Sequence, residues 1–262
     1  MNTIKAIALL FLIWQPQWAA AAEATRAFAL ENIRHINLRG AAEMMLTQGE
    51  IEALTITADE KALQNVEIHQ KDGTLYLNVR SRNWSWFNWG EDDDVRFAVS
   101  LRQLESLTLT GAAQVTGGDW FGEKLSIDIT GASQLQVGRL AVKQLAINLT
   151  GASHSNIEQL RGEELQVELT GASHMAIKQS GEVARQQVNL TGASHYKATP
   201  LKSRSASIQV TGASSAEVYA TEALEISAHG ASNVRYYGTS QARTQTSGFS
   251  NTDYRGADPA GK

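Results

Sequence analysis

The chain has 262 residues, no cysteine, and 23 lysines and arginines against 27 aspartates and glutamates, a formal charge of −4. That mild acidity argues against a nucleic-acid partner and against adsorption to an anionic lipid surface. The missing cysteines exclude disulfide staples and thiol chemistry, so stability must come from a packed core, for which this length is ample.

Residues 1–22 read as a secretory signal peptide. Lys5 gives a basic start, and Ala6 to Trp14 is an apolar core too short to span a membrane as a helix. Gln15-Pro16-Gln17 breaks that core, and Ala20-Ala21-Ala22 offers a cleavage site before Glu23. No later stretch is apolar enough for a membrane helix. Removing the signal leaves 22 basic against 27 acidic residues, a charge of −5. The expectation is an exported chain, placed in the periplasm or at the cell surface, or secreted.

Residues 23–105 read as an irregular opening. Ile36-Asn37-Leu38-Arg39-Gly40-Ala41-Ala42 is the first copy of a phrase that dominates the chain from residue 106 onward. Glu43 to Thr47 and Leu54 to Thr57 alternate as strands, and Asp59 to Asn65 suits a short helical turn. Val66 to His69 and Leu75 to Val79 flank Lys71-Asp72-Gly73-Thr74, and Asp-Gly between alternating runs marks a hairpin. These residues are expected to cover the open edge of the first regular coil. Asn83-Trp84-Ser85-Trp86-Phe87-Asn88-Trp89-Gly90 then sets four aromatics in eight residues, followed by Glu91-Asp92-Asp93-Asp94. Lying between two strands, this segment is a loop.

Residues 106–254 are a repeat. Leu109-Thr110-Gly111-Ala112-Ala113 returns as Ile129-Thr130-Gly131-Ala132-Ser133 and Leu149-Thr150-Gly151-Ala152-Ser153. It returns again around Gly171, Gly192 and Gly212, and more loosely around Gly230 and Gly248. From Gly111 the glycines are 20, 20, 20, 21, 20, 18 and 18 residues apart. A fixed period of this length marks a stacked array. Leu145, Ile147 and Leu149 alternate with polar residues before the bend, and Met175 and Ile177 do so after it, so each repeat holds two or three short strands. Glycine suits the bend because it takes positive φ without steric cost, and the alanine after it marks a tight place. Stacked at about 4.8 Å, seven glycine-to-glycine steps would rise roughly 34 Å.

The fold expected is all-β, a right-handed parallel β-helix (β-solenoid) of about 20-residue rungs, since parallel crossovers are almost always right-handed. A leucine-rich repeat would need Asn or Cys and further leucine after the strand. A propeller blade needs about twice the period, and a membrane barrel needs strands of about 9–11 residues. Residues 255–262, rich in glycine, alanine and proline, read as a disordered tail.

The signal peptide, the early Leu38-Arg39-Gly40-Ala41-Ala42 copy, the Asp72-Gly73-Thr74-Leu75 hairpin and the Thr-Gly-Ala-Ser run together resemble a known family over most of residues 30–235. It is the "putative auto-transporter adhesin head domain", or GIN domain, a bacterial domain of unknown function. The resemblance implies a β-solenoid and an envelope location, and it supplies no catalytic residues. The chain carries no membrane barrel of its own.

Four features could carry chemistry. His154, His174 and His195 hold the same phase, so they would form a column able to offer imidazoles to Zn²⁺ or Cu²⁺. The competing reading is a tolerant exposed position, because Gln134, Ser215 and Asn233 occupy it elsewhere. Thr110, Thr130, Thr150, Thr170, Thr191 and Thr211 form a hydroxyl ladder that could match a repetitive ligand, though capping of the turn is sufficient reason for it. Asp128, Asn148, Glu168, Asn189 and Gln209 form an outward column of a solvated face. Trp84, Trp86, Phe87 and Trp89 are the ligand-binding candidates, because aromatic faces stack on sugars or anchor protein partners.

The structural role falls to the bend glycines Gly40, Gly111, Gly131, Gly151, Gly171, Gly192, Gly212 and Gly230. The expectation is an exported, non-enzymatic, adhesin-like binding or structural protein that uses no cofactor. Its partner would be an envelope or extracellular glycan or protein, and the solenoid ends could join copies into an oligomer. The alternative is a β-helix enzyme acting on polysaccharide, for which no phase of the repeat gathers the required carboxylates.

Overall fold

The computed structural model describes residues 23–80, 95–238 and 241–259. The chain opens with β1 (Glu23–Ala29), β2 (His35–Gly40), β3 (Glu43–Gln48) and β4 (Ala53–Asp59). Helix α1 (Glu60–Leu63), β5 (Val66–Lys71), β6 (Thr74–Val79) and β7 (Arg96–Leu101) follow. The regular part holds β8 (Ser106–Gly111), β9 (Gln114–Gly117), β10 (Trp120–Gly131), β11 (Gln134–Gly151), β12 (His154–Arg161) and β13 (Glu164–Gly171). It continues through β14 (His174–Ile177), β15 (Gly181–Gly192), β16 (His195–Gly212), β17 (Ser215–Gly230), β18 (Asn233–Tyr237), β19 (Gln241–Gly248) and β20 (Asn251–Tyr254).

These strands stack as the coils of a β-solenoid of about seven turns. Successive rungs pair parallel and in register: Ile127 lies on Ile147, Ile147 on Val167, Val167 on Val188, Val188 on Ile208 and Ile208 on Ile226. Alternation before the bend turns one side chain in two inward, so like residues meet in columns. Ile127, Ile147, Val167, Val188, Ile208 and Ile226 are all fully buried. Some strands run straight through a corner of the coil, so that β11 and β16 each span 18 residues where shorter strands were expected.

At the bend, Gly40, Gly111, Gly131, Gly151, Gly171, Gly192, Gly212 and Gly230 all take φ between 89° and 120°. A second constraint is the neighbour below. A Cβ at Gly171 would lie 2.6 Å from the carbonyl oxygen of Gly151, and one at Gly131 would lie 2.3 Å from that of Gly111. Only glycine fits both the angle and the close approach of backbone to backbone.

The tight place after the glycine belongs to serine rather than alanine. Ala152 and Ala172 are exposed, whereas Ser133, Ser153, Ser173 and Ser194 are fully buried. Each serine hydroxyl donates back to the glycine carbonyl of the rung below. Ser153 reaches Gly131 at 3.2 Å, Ser194 reaches Gly171 at 3.2 Å and Ser214 reaches Gly192 at 3.0 Å. The same hydroxyl also lies near the threonine carbonyl of its own rung, 3.1 Å for Ser173 and Thr170. Turn capping is therefore the work of the serines, and the threonine side chains are turned outward, most of them exposed.

The opening residues do not stack in chain order. β2 lies between β6 and β8, parallel to both, with Ile36 on Leu75 and on Leu107. β3 likewise lies between β7 and β9. The outermost coil is thus built from β6 and β7. Antiparallel strands then close this end: β5 on β6, joined through Asp72 and Gly73 at φ 50° and 72°, and β4 on β7 with β1 beyond it. Helix α1 starts where the Asp59 carboxylate accepts the Ala62 N–H at 2.6 Å, and it buries Ala62 and Leu63.

One rung departs from the apolar pattern. Where other rungs place Leu125, Leu145, Leu165 and Leu224, two place Gln186 and Ala206. The Gln186 amide is buried, accepts the Tyr196 hydroxyl at 3.1 Å and donates to the Ser203 hydroxyl at 2.8 Å. Ser203 donates in turn to the Tyr219 carbonyl at 2.8 Å. Burial pushes the Tyr196 phenol well above its ordinary pKa, so it stays a neutral donor.

Candidate functional site: a polar groove along the rungs

A large recess runs along the solenoid axis where strands enter the Leu-x-Ile-x-Leu pattern. It has a volume of about 1190 Å³ and extends from Lys124 to Arg243. Two outward columns make it. The first carries Lys124, Gln144, Glu164, Arg185 and Ser205 in register, and the second Ser126, Ala146, Gln166, Gln187 and Ser207. Buried Leu145, Leu165, Gln186, Ala206 and Leu224 lie between the columns, and exposed Gln144, Gln166 and Gln187 form the projections.

The groove is electrically balanced. Lys124, Arg185 and Arg243 face Glu164, Glu222 and Glu225 along it. Glu164 is already engaged, pairing with Arg185 and accepting the Gln144 amide at 3.3 Å. The Gln166 amide donates to Glu168 at 3.2 Å. What remains is a run of amides and hydroxyls at the rung spacing, which both donate and accept. The sequence carried a signal for this site in the small or polar outward residues at its corner and in the break of the leucine column at Gln186 and Ala206.

The histidine column exists. His154 lies on His174 and His174 on His195, with ring centroids 5.9 and 6.2 Å apart and the rings tilted. The Nδ1 of His195 and the Ser215 hydroxyl are 2.7 Å apart. Among the described residues no group of three or more metal-ligating side chains is arranged to hold an ion. His174 is held below the usual histidine pKa, first by burial, then by His154, His195, Lys178 and Lys197. In the outward column Asp128 accepts the Asn148 amide at 2.6 Å, so part of that face is stitched to itself. Trp84, Trp86, Phe87 and Trp89 lie outside the described residues, as does the signal-like segment 1–22. No helix among the described residues is long and apolar enough to cross a membrane.

Fold and groove together define a parallel β-solenoid with an extended polar groove along its rungs. The chain belongs to the family described as "Putative auto-transporter adhesin, head GIN domain", which it matches over residues 32–240. Solved structures share the fold at low identity. A protein named "putative adhesin" from Parabacteroides distasonis ATCC 8503 has 18% identity and a TM-score of 0.80, over 90% of this chain and 98% of that one. One with the same name from Parabacteroides merdae ATCC 43184 has 18% identity and a TM-score of 0.77, over 90% and 97%. A third, named "putative lipid binding protein" and also from Parabacteroides distasonis ATCC 8503, has 19% identity and a TM-score of 0.78, over 90% and 98%. Comparison with curated proteins finds no match.

Proposed function

We propose that this chain is an exported, non-enzymatic binding protein of the cell envelope that holds an extended, uncharged glycan along its groove. The observation that carries this reading is the pair of mostly polar columns repeated rung after rung along one recess. The step of about 4.8 Å between rungs is close to the length of one pyranose unit in an extended glycan, so successive amides can address successive sugars. The balance of charge favours a neutral chain. A lipid, which the name of one structural neighbour suggests for that protein, would need an apolar channel rather than walls of amides and ion pairs. The aromatic run Trp84 to Trp89 supplies sugar-stacking faces to the same reading.

Binding to arrayed glycans and to envelope fractions tests it. Gln166→Ala with Gln187→Ala should weaken glycan binding by roughly tenfold through the lost hydrogen bonds, with an unchanged far-ultraviolet spectrum. Trp86→Ala with Trp89→Ala forms the second arm and should weaken binding while the array stays folded. Binding untouched by the glutamine changes would move the site away from the groove. Release of sugar fragments would replace the binding reading with an enzyme.

A further inference from the structure

Among the described residues, the last rung leaves an edge open. β19 pairs parallel with β17 on one side and with no described strand on the other, and nearly all of its residues are exposed. Its inward positions continue the core columns with Ala242 on Leu224, Thr244 on Ile226 and Thr246 on Ala228. The residues after β20 turn away from this edge, since the Arg255 N–H bonds the Tyr236 carbonyl and the Gly256 carbonyl accepts the Gly238 N–H. The Phe249 and Asn251 N–H groups point back to the rung below, at Gly230 and Ser232. By the alternation of a parallel ladder, the N–H and C=O groups of Ala242, Thr244 and Thr246 therefore face the open side.

We propose that this edge is an interface for a second copy of the same chain, joined tail to tail by antiparallel pairing of β19 with its symmetry mate. An edge of this kind is a ready template for another strand unless it is blunted by charge, proline or a bulge, and β19 carries one charge, Arg243, and no lysine or proline. A two-fold interface must be complementary to itself. Gly248 takes φ 76°, which leaves strand geometry, so the usable edge is residues 241–247 with Thr244 at its centre. Pairing about Thr244 sets Thr244 on Thr244 and Ala242 on Thr246 toward the core, forming about six main-chain hydrogen bonds. On the outer face it sets Arg243 on Gln245 and Gln241 on Ser247, with no like charges opposed. The two-fold axis lies along the face normal, so core-facing residues stay core-facing and the two solenoids become coaxial.

The test is sedimentation equilibrium of the purified protein from about 1 µM to about 200 µM, since the end of one rung is smaller than a standard interface. The protein should pass from monomer to dimer across this range. Thr244→Pro removes an N–H that faces the open side and no bond to β17, so it should abolish dimerisation and keep the far-ultraviolet spectrum. Gln245→Glu places a carboxylate opposite Arg243 twice and should tighten association about 5–10-fold, whereas Gln245→Arg should weaken it by a similar factor. A monomer throughout for both the unaltered protein and Gln245→Glu overturns the proposal. So does a dimer indifferent to Thr244→Pro, or one that Gln245→Glu weakens.

Discussion

The two ends of the solenoid solve one problem by different means. A stack of coils must stop, and stopping exposes both the apolar core and a row of unpaired backbone groups. At the first end the chain builds a lid. α1 buries Ala62 and Leu63 over the core, and β4 and β5 cross antiparallel to the strands they cover. The outer strands there carry charge, with Glu23 and Arg26 on β1 and Glu67 and Lys71 on β5. At the far end there is no lid among the described residues. The core sequence itself changes, and threonines 244 and 246 replace the isoleucine and leucine of earlier rungs. A covered end keeps its apolar side chains, and a polar end can do without cover.

Three comparisons sharpen this contrast, in falling order of their largest effect. Gly171→Val forces a β-branched residue to φ 92° and into the Gly151 carbonyl, in the middle of the stack where neither neighbour can yield. A loss above about 3 kcal/mol is expected in chemical denaturation. Gly248→Val meets a similar clash with the Gly230 carbonyl, 2.7 Å away, but on the last rung, which can fray. It should leave the midpoint nearly unchanged and raise amide exchange only in β19. Equal losses at both sites would erase the distinction between middle and end.

The next change compares the ends directly. Leu63→Ala empties a buried position of the lid and should cost about 2–4 kcal/mol. Thr244→Ala, at an exposed inward position of the last rung, should stay within about 0.5 kcal/mol. The smallest effect concerns a side face of the stack. His174 is held below its ordinary value of 6.5, so its neutral form is favoured in the fold. Between the folded and unfolded values the unfolded chain binds more protons, and stability falls as pH drops below about 6.5. With solvent screening the melting temperature should fall by only ~1–2 °C between pH 7.5 and pH 5. His174→Gln should remove that slope; an unchanged slope would assign it to other groups.

The architecture was legible in the sequence because stacking in register repeats one physical requirement at one phase. Gly151 and Gly171 recur for the same reason, the positive φ and the carbonyl below. Which small neighbour turns inward was not legible. Thr150, Gly151, Ala152 and Ser153 are all small, and a positive-φ residue breaks the alternation by which inward and outward are read. Threonine and serine offer the same hydroxyl, and only the geometry gives the capping to Ser153. The threading of β2 between β6 and β8 was hidden as well, since strand order in space is not written in a single strand. The groove depends on residues 20 apart whose side chains are individually ordinary, and its clearest sign was the loss of leucine at Gln186 and Ala206.

That substitution bears on how the chain finds its fold. Rungs this alike can stack one period out of place, and a slipped stack keeps most of its leucine contacts and glycine bends. The Tyr196–Gln186–Ser203 chain of hydrogen bonds belongs to one level only. Its members, residues 186–203, lie within a single coil's length of chain, so the trio closes within its own coil whatever stacks above or below it. The polar trio therefore works as a latch inside one coil, holding the two sides of its bend together so that neighbouring coils meet a surface already shaped.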